Sequence, residues 1–84
     1  MKYKIDIAPL CDYYVVAVKD KHTDELKETF TLNETGADML KIFCQKEDWN
    51  TVAEDMAEIY EMSKESMSED IEAFANKLKQ KGII

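Results

Sequence analysis

The spacing of apolar residues changes once along this chain, and the change separates two kinds of secondary structure. Before Asn33, apolar and polar residues alternate with a period of about two, which is typical of half-buried strands. After Asn33, apolar residues recur about every 3.6 positions, which is typical of amphipathic helices. The pattern predicts an α+β fold in which a three-stranded antiparallel sheet is followed by three helices.

Three apolar segments predict strands at about residues 3–8, 13–19 and 26–32. Pro9 is expected to end the first strand, because proline has no N–H for the ladder. The second strand is almost wholly β-branched or aromatic, which favours a central position with much of both faces covered. Polar residues 20–25 predict a hairpin loop, so the third strand lies at an edge of the sheet.

The helices are predicted at about residues 34–46, 51–61 and 64–81. Asn33 and Ser63 are the expected N-caps of the first and third helices, and Thr51 with Glu54 predicts a capping box for the second. Gly82 is the expected left-handed residue after the third helix, so that the last two isoleucines can return to the core. The predicted core-facing residues are Ala37, Leu40, Phe43, Cys44, Val52, Met56, Ile59, Met67, Ile71, Phe74 and Leu78.

The charge of the chain argues against nucleic acid as a partner. Eleven basic residues, all lysine, stand against 18 acidic ones, and the net charge is −7. A nucleic-acid binder neutralises phosphates with basic groups and usually reads base edges with arginine. Ten of the acidic residues lie within residues 47–72, where Lys64 is the only basic residue. This segment is predicted to form a solvated acidic surface.

No segment has the pattern of a signal peptide or the length of a membrane span, because residues 1–10 alternate polar with apolar side chains. Cys11 and Cys44 are far apart in the sequence and are expected to be reduced thiols. We therefore expect one cytoplasmic domain over residues 1–84, with no membrane partner.

No catalytic residue, metal site or cofactor is predicted. His22 is the only histidine and falls in the hairpin loop, where an exposed position is expected. The acidic residues lack the spacing of a calcium loop, and Gly36 and Gly82 are the only glycines, which excludes a glycine-rich phosphate loop.

Three segments resemble the PqqD-like family, whose members recognise ribosomally made precursor peptides. Residues 32–37 (LNETGA) are similar to the strand-to-helix junction of the family. Residues 51–57 (TVAEDMA) resemble its second helix, and residues 69–84, from EDIEAF to KGII, resemble its C-terminal part. Residues 45–50 (QKEDWN) depart from the family, which usually has a short Asp-Gly turn there.

The resemblance implies a winged helix-turn-helix-like domain that is not an enzyme. Such a domain binds the leader segment of a precursor peptide and delivers it to a modifying enzyme, such as a radical-SAM maturase. In that family the leader adds a strand to the third strand and packs against the third helix, by β-augmentation. Carried over to this chain, the expected peptide-binding residues are Lys27, Glu28, Thr29, Phe30, Thr31, Leu32, Met67, Asp70, Ile71, Phe74, Lys77 and Leu78.

Two other functions are compatible with the same pattern. A winged-helix DNA-binding regulator has a related fold, but the missing arginine and the acidic residues of the third helix disfavour contact with phosphate. A homodimer that pairs the third strand with its own copy would use the same exposed edge.

Overall fold

The computed structural model describes residues 3–84 of the chain. Met1 and Lys2 lie outside the described residues. Both belong to the predicted domain and to the N-terminal segment in which no signal-peptide pattern was found. Within the described part, none of the helices has the length and apolar character needed to cross a membrane.

The sheet is an antiparallel meander in the order β1-β2-β3, as the sequence predicts. Its strands are β1 (Tyr3–Leu10), β2 (Tyr13–Asp20) and β3 (Leu26–Leu32). Val16 and Val18 of the central strand are 0% and 2% exposed, because alternate side chains of β2 point towards the helices. Val15 and Ala17 lie on the opposite face and are half-buried.

Pro9 does not end β1, and the prediction that the strand stops near residue 8 was wrong. Leu10 and Tyr13 are paired across a two-residue turn in which Cys11 has a φ of 56°. This pairing directs the backbone groups of Leu10 towards β2, so the nitrogen of Pro9 faces away from β2. Because β1 is an edge strand, no ladder hydrogen bond is lost there.

The side chain of Asp20 organises the loop between β2 and β3. The backbone N–H groups of His22 and Thr23 donate to Asp20 Oδ1 over 2.8 and 3.0 Å. These hydrogen bonds, with that from Thr23 the larger cause, lower the pKa of the Asp20 carboxyl by favouring its charged form. His22 is exposed, as predicted. The loop thus fixes the register in which β3 pairs with β2.

Two of the predicted helix caps are confirmed. The helices are α1 (Glu34–Lys46), α2 (Trp49–Tyr60) and α3 (Lys64–Gln80). The N–H of Gly36 donates to Asn33 Oδ1 over 2.8 Å, and the N–H of Ser66 donates to Ser63 Oγ over 3.2 Å. Each contact satisfies a backbone donor that the first helical turn leaves without a partner.

The start of α2 differs from the prediction. The helix begins at Trp49 with Asp48 as its N-cap, so the predicted capping box of Thr51 and Glu54 was wrong. The carboxylate of Asp48 accepts a first-turn backbone N–H over 3.2 Å. The indole of Trp49 stacks on Phe43 with ring centroids 4.1 Å apart, which stabilises the additional residues of this turn.

The C-terminal residues close the core as predicted. Gly82 has a φ of 76°, which an L side chain would disfavour, and it ends α3. The N–H of Ile83 then donates to the carbonyl of Leu78 over 3.0 Å, and Ile83 is 2% exposed. The buried cluster between the sheet and the helices consists of Val16, Val18, Leu32, Met39, Leu40, Phe43, Val52, Ala53, Met56, Met67, Ile71, Phe74, Leu78 and Ile83.

Two residues predicted to face the core are exposed instead. The buried stripe of α2 stops at Met56, and Ile59 is 57% exposed one turn later. Cys44 is exposed because the buried face of α1 includes Met39, Leu40 and Phe43. The predicted stripe had Cys44 in place of Met39. Neither Cys44 nor Cys11 takes part in a disulfide in the described chain.

Replacing Glu61 by glycine is expected to stabilise the fold. Glu61 ends α2 with a φ of 53°, and a left-handed conformation costs an L residue about 1 kcal/mol or more. Glycine avoids this cost but loses more backbone entropy on folding, so a net gain of about 0.5 kcal/mol in the free energy of unfolding is expected. Urea denaturation of the two proteins measures the difference.

The matched control for this variant is Glu58→Gly, which places glycine at an exposed position inside the same helix. That change is expected to lower the free energy of unfolding by about 0.5–1 kcal/mol. A Glu61→Gly protein as destabilised as the control would contradict the strain assigned to residue 61.

Candidate functional site

The free edge of β3 carries backbone groups that point away from the sheet. The N–H of Asp20 donates over 2.8 Å to the carbonyl of Glu25, the residue just before β3. The backbone N–H and C=O groups of even-numbered residues in β2 therefore point towards β3. Val16 is one of these residues, and it lies opposite Phe30. The N–H and C=O of Phe30 therefore face β2, whereas those of Thr29 and Thr31 face outward.

This edge is open in the described chain. β3 pairs with β2 on one side, and within residues 3–84 no strand pairs with its other side. Thr29 and Thr31 are both exposed. An open edge of this kind can accept another strand through its main-chain donors and acceptors.

A groove between α1 and α3 lies where β3 ends. It has a volume of about 430 Å³ and is called the α1–α3 groove below. The beginning of α1 and the middle of α3 form its two walls. Its lining residues are Asn33, Thr35, Gly36, Met39, Asp70, Ala73, Phe74 and Lys77. Because Asn33 directly follows Leu32, the last residue of β3, the groove continues from the open edge.

The tight junction between β3 and α1 depends on Gly36. A Cβ at this position would lie 3.3 Å from both Asn33 Oδ1 and Leu32 Cδ2. These distances are shorter than ordinary van der Waals contacts, so a side chain would push the capping amide and the strand end apart. Glycine thus allows the first turn of α1 to pack directly against the end of the strand.

Lys81, just after α3, contacts the helix-facing side of β3. Its Nζ lies 3.5 Å from Glu28 Oε1 and 4.9 Å from the ring centroid of Phe30. The second contact is a cation–π interaction that keeps a positive charge beside the edge strand. Lys77 lies one helical turn before Lys81, while Asp70 lies at the other end of the α1–α3 groove. The site therefore presents charges of both signs along one side of α3.

The structure brings together part of the predicted set. Asp70, Phe74 and Lys77 line the α1–α3 groove, whereas none of the predicted β3 residues 27–32 is among its lining residues. Three other predicted residues of α3 lie in the core instead: Met67 is 1% exposed, Ile71 is 4% exposed and Leu78 is 0% exposed. α3 thus contributes to the groove the edge of the largely buried ring of Phe74, which is 9% exposed, and two exposed charged side chains.

Several lining residues were missed from the sequence. Asn33, Thr35, Gly36 and Met39 come from α1, which the sequence pattern presented only as a capped core helix. Ala73 was missed on α3, although helical spacing places it beside predicted residues. Lys81, just after α3, was also missed; it contacts Glu28 and Phe30 and is not a lining residue of the groove. The direct connection of β3 to α1 is the signal that identifies the α1 residues, since a short junction keeps them near the strand end.

The site combines an open strand edge with a groove that is partly lined by charged side chains. In the part of the chain that the structure describes, no group of three His, Cys, Asp or Glu residues is placed to hold a metal ion. His22 lies in the β2–β3 loop, away from the groove residues in sequence and at the opposite end of β3. The available chemistry is main-chain hydrogen bonding at the edge and side-chain contact in the groove.

The comparison with protein families agrees with this arrangement. The model of the family described as "Coenzyme PQQ synthesis protein D (PqqD)" matches residues 16–84. The chain belongs to the PqqD family. The match includes β3, the helices and every residue that lines the α1–α3 groove. No curated protein and no solved structure matches the chain.

Membership of the PqqD family suggests a role in the biosynthesis of PQQ or of related products made from ribosomal peptides. It is also consistent with an accessory protein that is not itself an enzyme. For this PqqD-family chain, the resemblance of residues 32–84 to the family is confirmed, and residues 16–31 belong to the match as well.

Two alanine variants are expected to separate core residues of α3 from groove residues. Met67→Ala removes a side chain that is 1% exposed and is expected to cost about 2–5 kcal/mol of folding free energy. Lys77→Ala changes an exposed groove residue and is expected to alter stability by less than about 0.5 kcal/mol. Chemical denaturation measures both, and equal stability of the two variants would contradict the core position of Met67.

Proposed function

We propose that this protein is a non-catalytic peptide-binding module. It captures the leader segment of a ribosomally synthesised precursor peptide by strand addition to β3 and presents it to a modifying enzyme, such as a radical-SAM maturase. The observation that carries the proposal is the open edge of β3, which continues into the α1–α3 groove. Membership of the PqqD family supports the same biosynthetic context.

The backbone of the leader would supply most of the grip. The outward N–H and C=O groups of Thr29 and Thr31 can each pair with an added strand, whatever its side chains. Such hydrogen bonds contribute about 0.5–1.5 kcal/mol each, and the apolar contacts of the groove add to them. A short leader segment can therefore bind without any covalent chemistry.

The side chains of the α1–α3 groove would select the leader. Ala73 is exposed and can contact one inserted side chain, while Phe74 and Met39, which are 9% and 3% exposed, form the apolar floor beneath it. Lys77 and Asp70 are exposed and can pair with charged leader residues, each pair contributing about 0.2–1 kcal/mol. The groove thus favours an apolar residue flanked by charges.

The competing function of a DNA-binding regulator receives no support from the surface of α3. Glu65, Glu69, Asp70 and Glu72 are all exposed on this helix. They would repel the phosphates that a recognition helix must approach. Peptide capture needs no such contact.

Replacing Thr29 by proline is expected to weaken leader binding without unfolding the protein. The change removes an N–H that points out of the sheet, and Thr29 is exposed, so the β2–β3 ladder is retained. The affinity for a synthetic candidate leader peptide that binds the unchanged protein should fall about tenfold. Isothermal titration measures it, with circular dichroism to monitor folding.

Two controls make this test specific. Thr29→Val keeps the backbone N–H and should bind as the unchanged protein does. Glu28→Pro removes an N–H that faces β2 and should destabilise the fold itself. An unchanged affinity of the folded Thr29→Pro variant refutes strand addition at β3. Sedimentation without peptide tests the homodimer, because pairing of two β3 edges would compete with the leader.

A further inference from the structure

A second groove lies on the other side of α3, between α3 and the first half of α2. It has a volume of about 340 Å³ and is called the α2–α3 groove below. Its apolar lining residues are Trp49, which is half-buried, and Ala53, Ile71 and Ala75, which are only 5%, 4% and 9% exposed. None of these residues lines the α1–α3 groove. The helix α3 therefore separates two distinct grooves.

Trp49 connects the α2–α3 groove to the aromatic core. Its indole stacks on Phe43, and it meets Phe74 edge-to-face with ring centroids 6.4 Å apart. Trp49 is half-buried, so one part of the indole is fixed by packing while another part remains accessible to a ligand. A rigid, partly exposed indole of this kind is a typical anchor point at protein interfaces.

The lining of the α2–α3 groove holds one acidic and one basic residue, Glu72 and Lys79, and further glutamates lie along its border. Glu72 lines the groove, and Glu65 and Glu69 precede it by seven and three positions on α3, which helical spacing places along the same side. Glu54 of α2 lies one turn after the lining residue Asn50 and pairs with Lys64 over 3.5 Å. These four glutamates are exposed, and Lys79 is the only basic residue in the described lining.

We propose that the α2–α3 groove docks a partner protein through a basic segment that carries one apolar side chain. The apolar side chain would pack against Trp49 and Ala75, and lysine or arginine residues of the segment would face the glutamates along the groove's border. Charge complementarity selects this occupant, since Glu65, Glu69 and Glu72 along α3 outnumber Lys79 and would repel an acidic segment. A leader peptide bound at β3 and this partner could be held at the same time.

The occupant differs from the leader peptide in its place and in its chemistry. The α1–α3 groove presents Lys77 and Asp70 and adjoins a strand edge, whereas the α2–α3 groove lies between two helices and is bordered by glutamates. The proposal therefore does not depend on peptide capture at β3. If both hold, α3 would bring a leader and a basic partner to opposite sides of one helix.

Two lysine variants on α3 test the proposal. Asn76 lines the α2–α3 groove and Ala73 lines the α1–α3 groove, and both are exposed. The probes are synthetic lysine-rich amphipathic peptides with a single leucine or phenylalanine, and an acidic peptide serves as the control. Binding is followed at about 0.15 M salt, where distant surface charges are screened. Trp49 fluorescence and amide shifts are the readouts.

A saturable fluorescence change with the basic peptides supports the proposal. Amide shifts should centre on Asn50, Ala53 and Asn76, and Asn76→Lys should weaken binding at least about fivefold while Ala73→Lys changes it less than about twofold. No saturable response, or equal weakening by the two variants, overturns it, since equal weakening indicates attraction by net charge alone.

The same pair of variants distinguishes the two claims about α3. Leader affinity should respond to Ala73→Lys and not to Asn76→Lys, which is the reverse of the pattern for the basic peptides. If the unchanged protein and both lysine variants all fail to bind leader peptides but the unchanged protein still binds the basic peptides, peptide capture is refuted. The proposed docking at the α2–α3 groove is then still supported.

Discussion

The packing of α1 against the sheet is the interaction on which the rest of the structure depends. A sheet of three strands is not stable by itself and must cover one apolar face. α1 contacts all three strands and also α2, so it joins the sheet to the remaining helices. Leu40, at the middle of this helix, is fully buried. α3 is then held mainly through its contacts with α2.

Much of the fold could be predicted because its signals are local. The change of period at Asn33 separates sheet from helices, and the caps Asn33 and Ser63 act through hydrogen bonds within one turn. The errors have non-local causes. Asp48 starts α2 early because Trp49 packs on Phe43, and Ile59 is exposed because the buried stripe of α2 stops before the helix ends. The periodicity of apolar residues identifies which face of a helix is buried. It does not show how far along the helix the neighbouring elements cover that face.

The site shows the same division between local and non-local information. The edge position of β3 follows from the order of the strands, which the meander pattern predicts. Met67, Ile71, Phe74 and Leu78 share one apolar stripe, and the sequence does not reveal that only Phe74 reaches the α1–α3 groove. That distinction depends on the angle between α1 and α3. The contribution of α1 was missed for the same reason, since its groove residues also belong to an ordinary helix start.

The division of the site between main chain and side chains has a consequence for how such a protein can diverge. Hydrogen bonds at the β3 edge tolerate almost any substitution there, because they use atoms that every residue except proline possesses. Positions 73 and 77 are exposed and lie outside the buried cluster. Under the proposed function, substitutions at these positions would change which peptides are accepted while the folding free energy stays nearly constant. If peptide capture holds, a duplicated gene would therefore need only a few single substitutions to bind a different peptide.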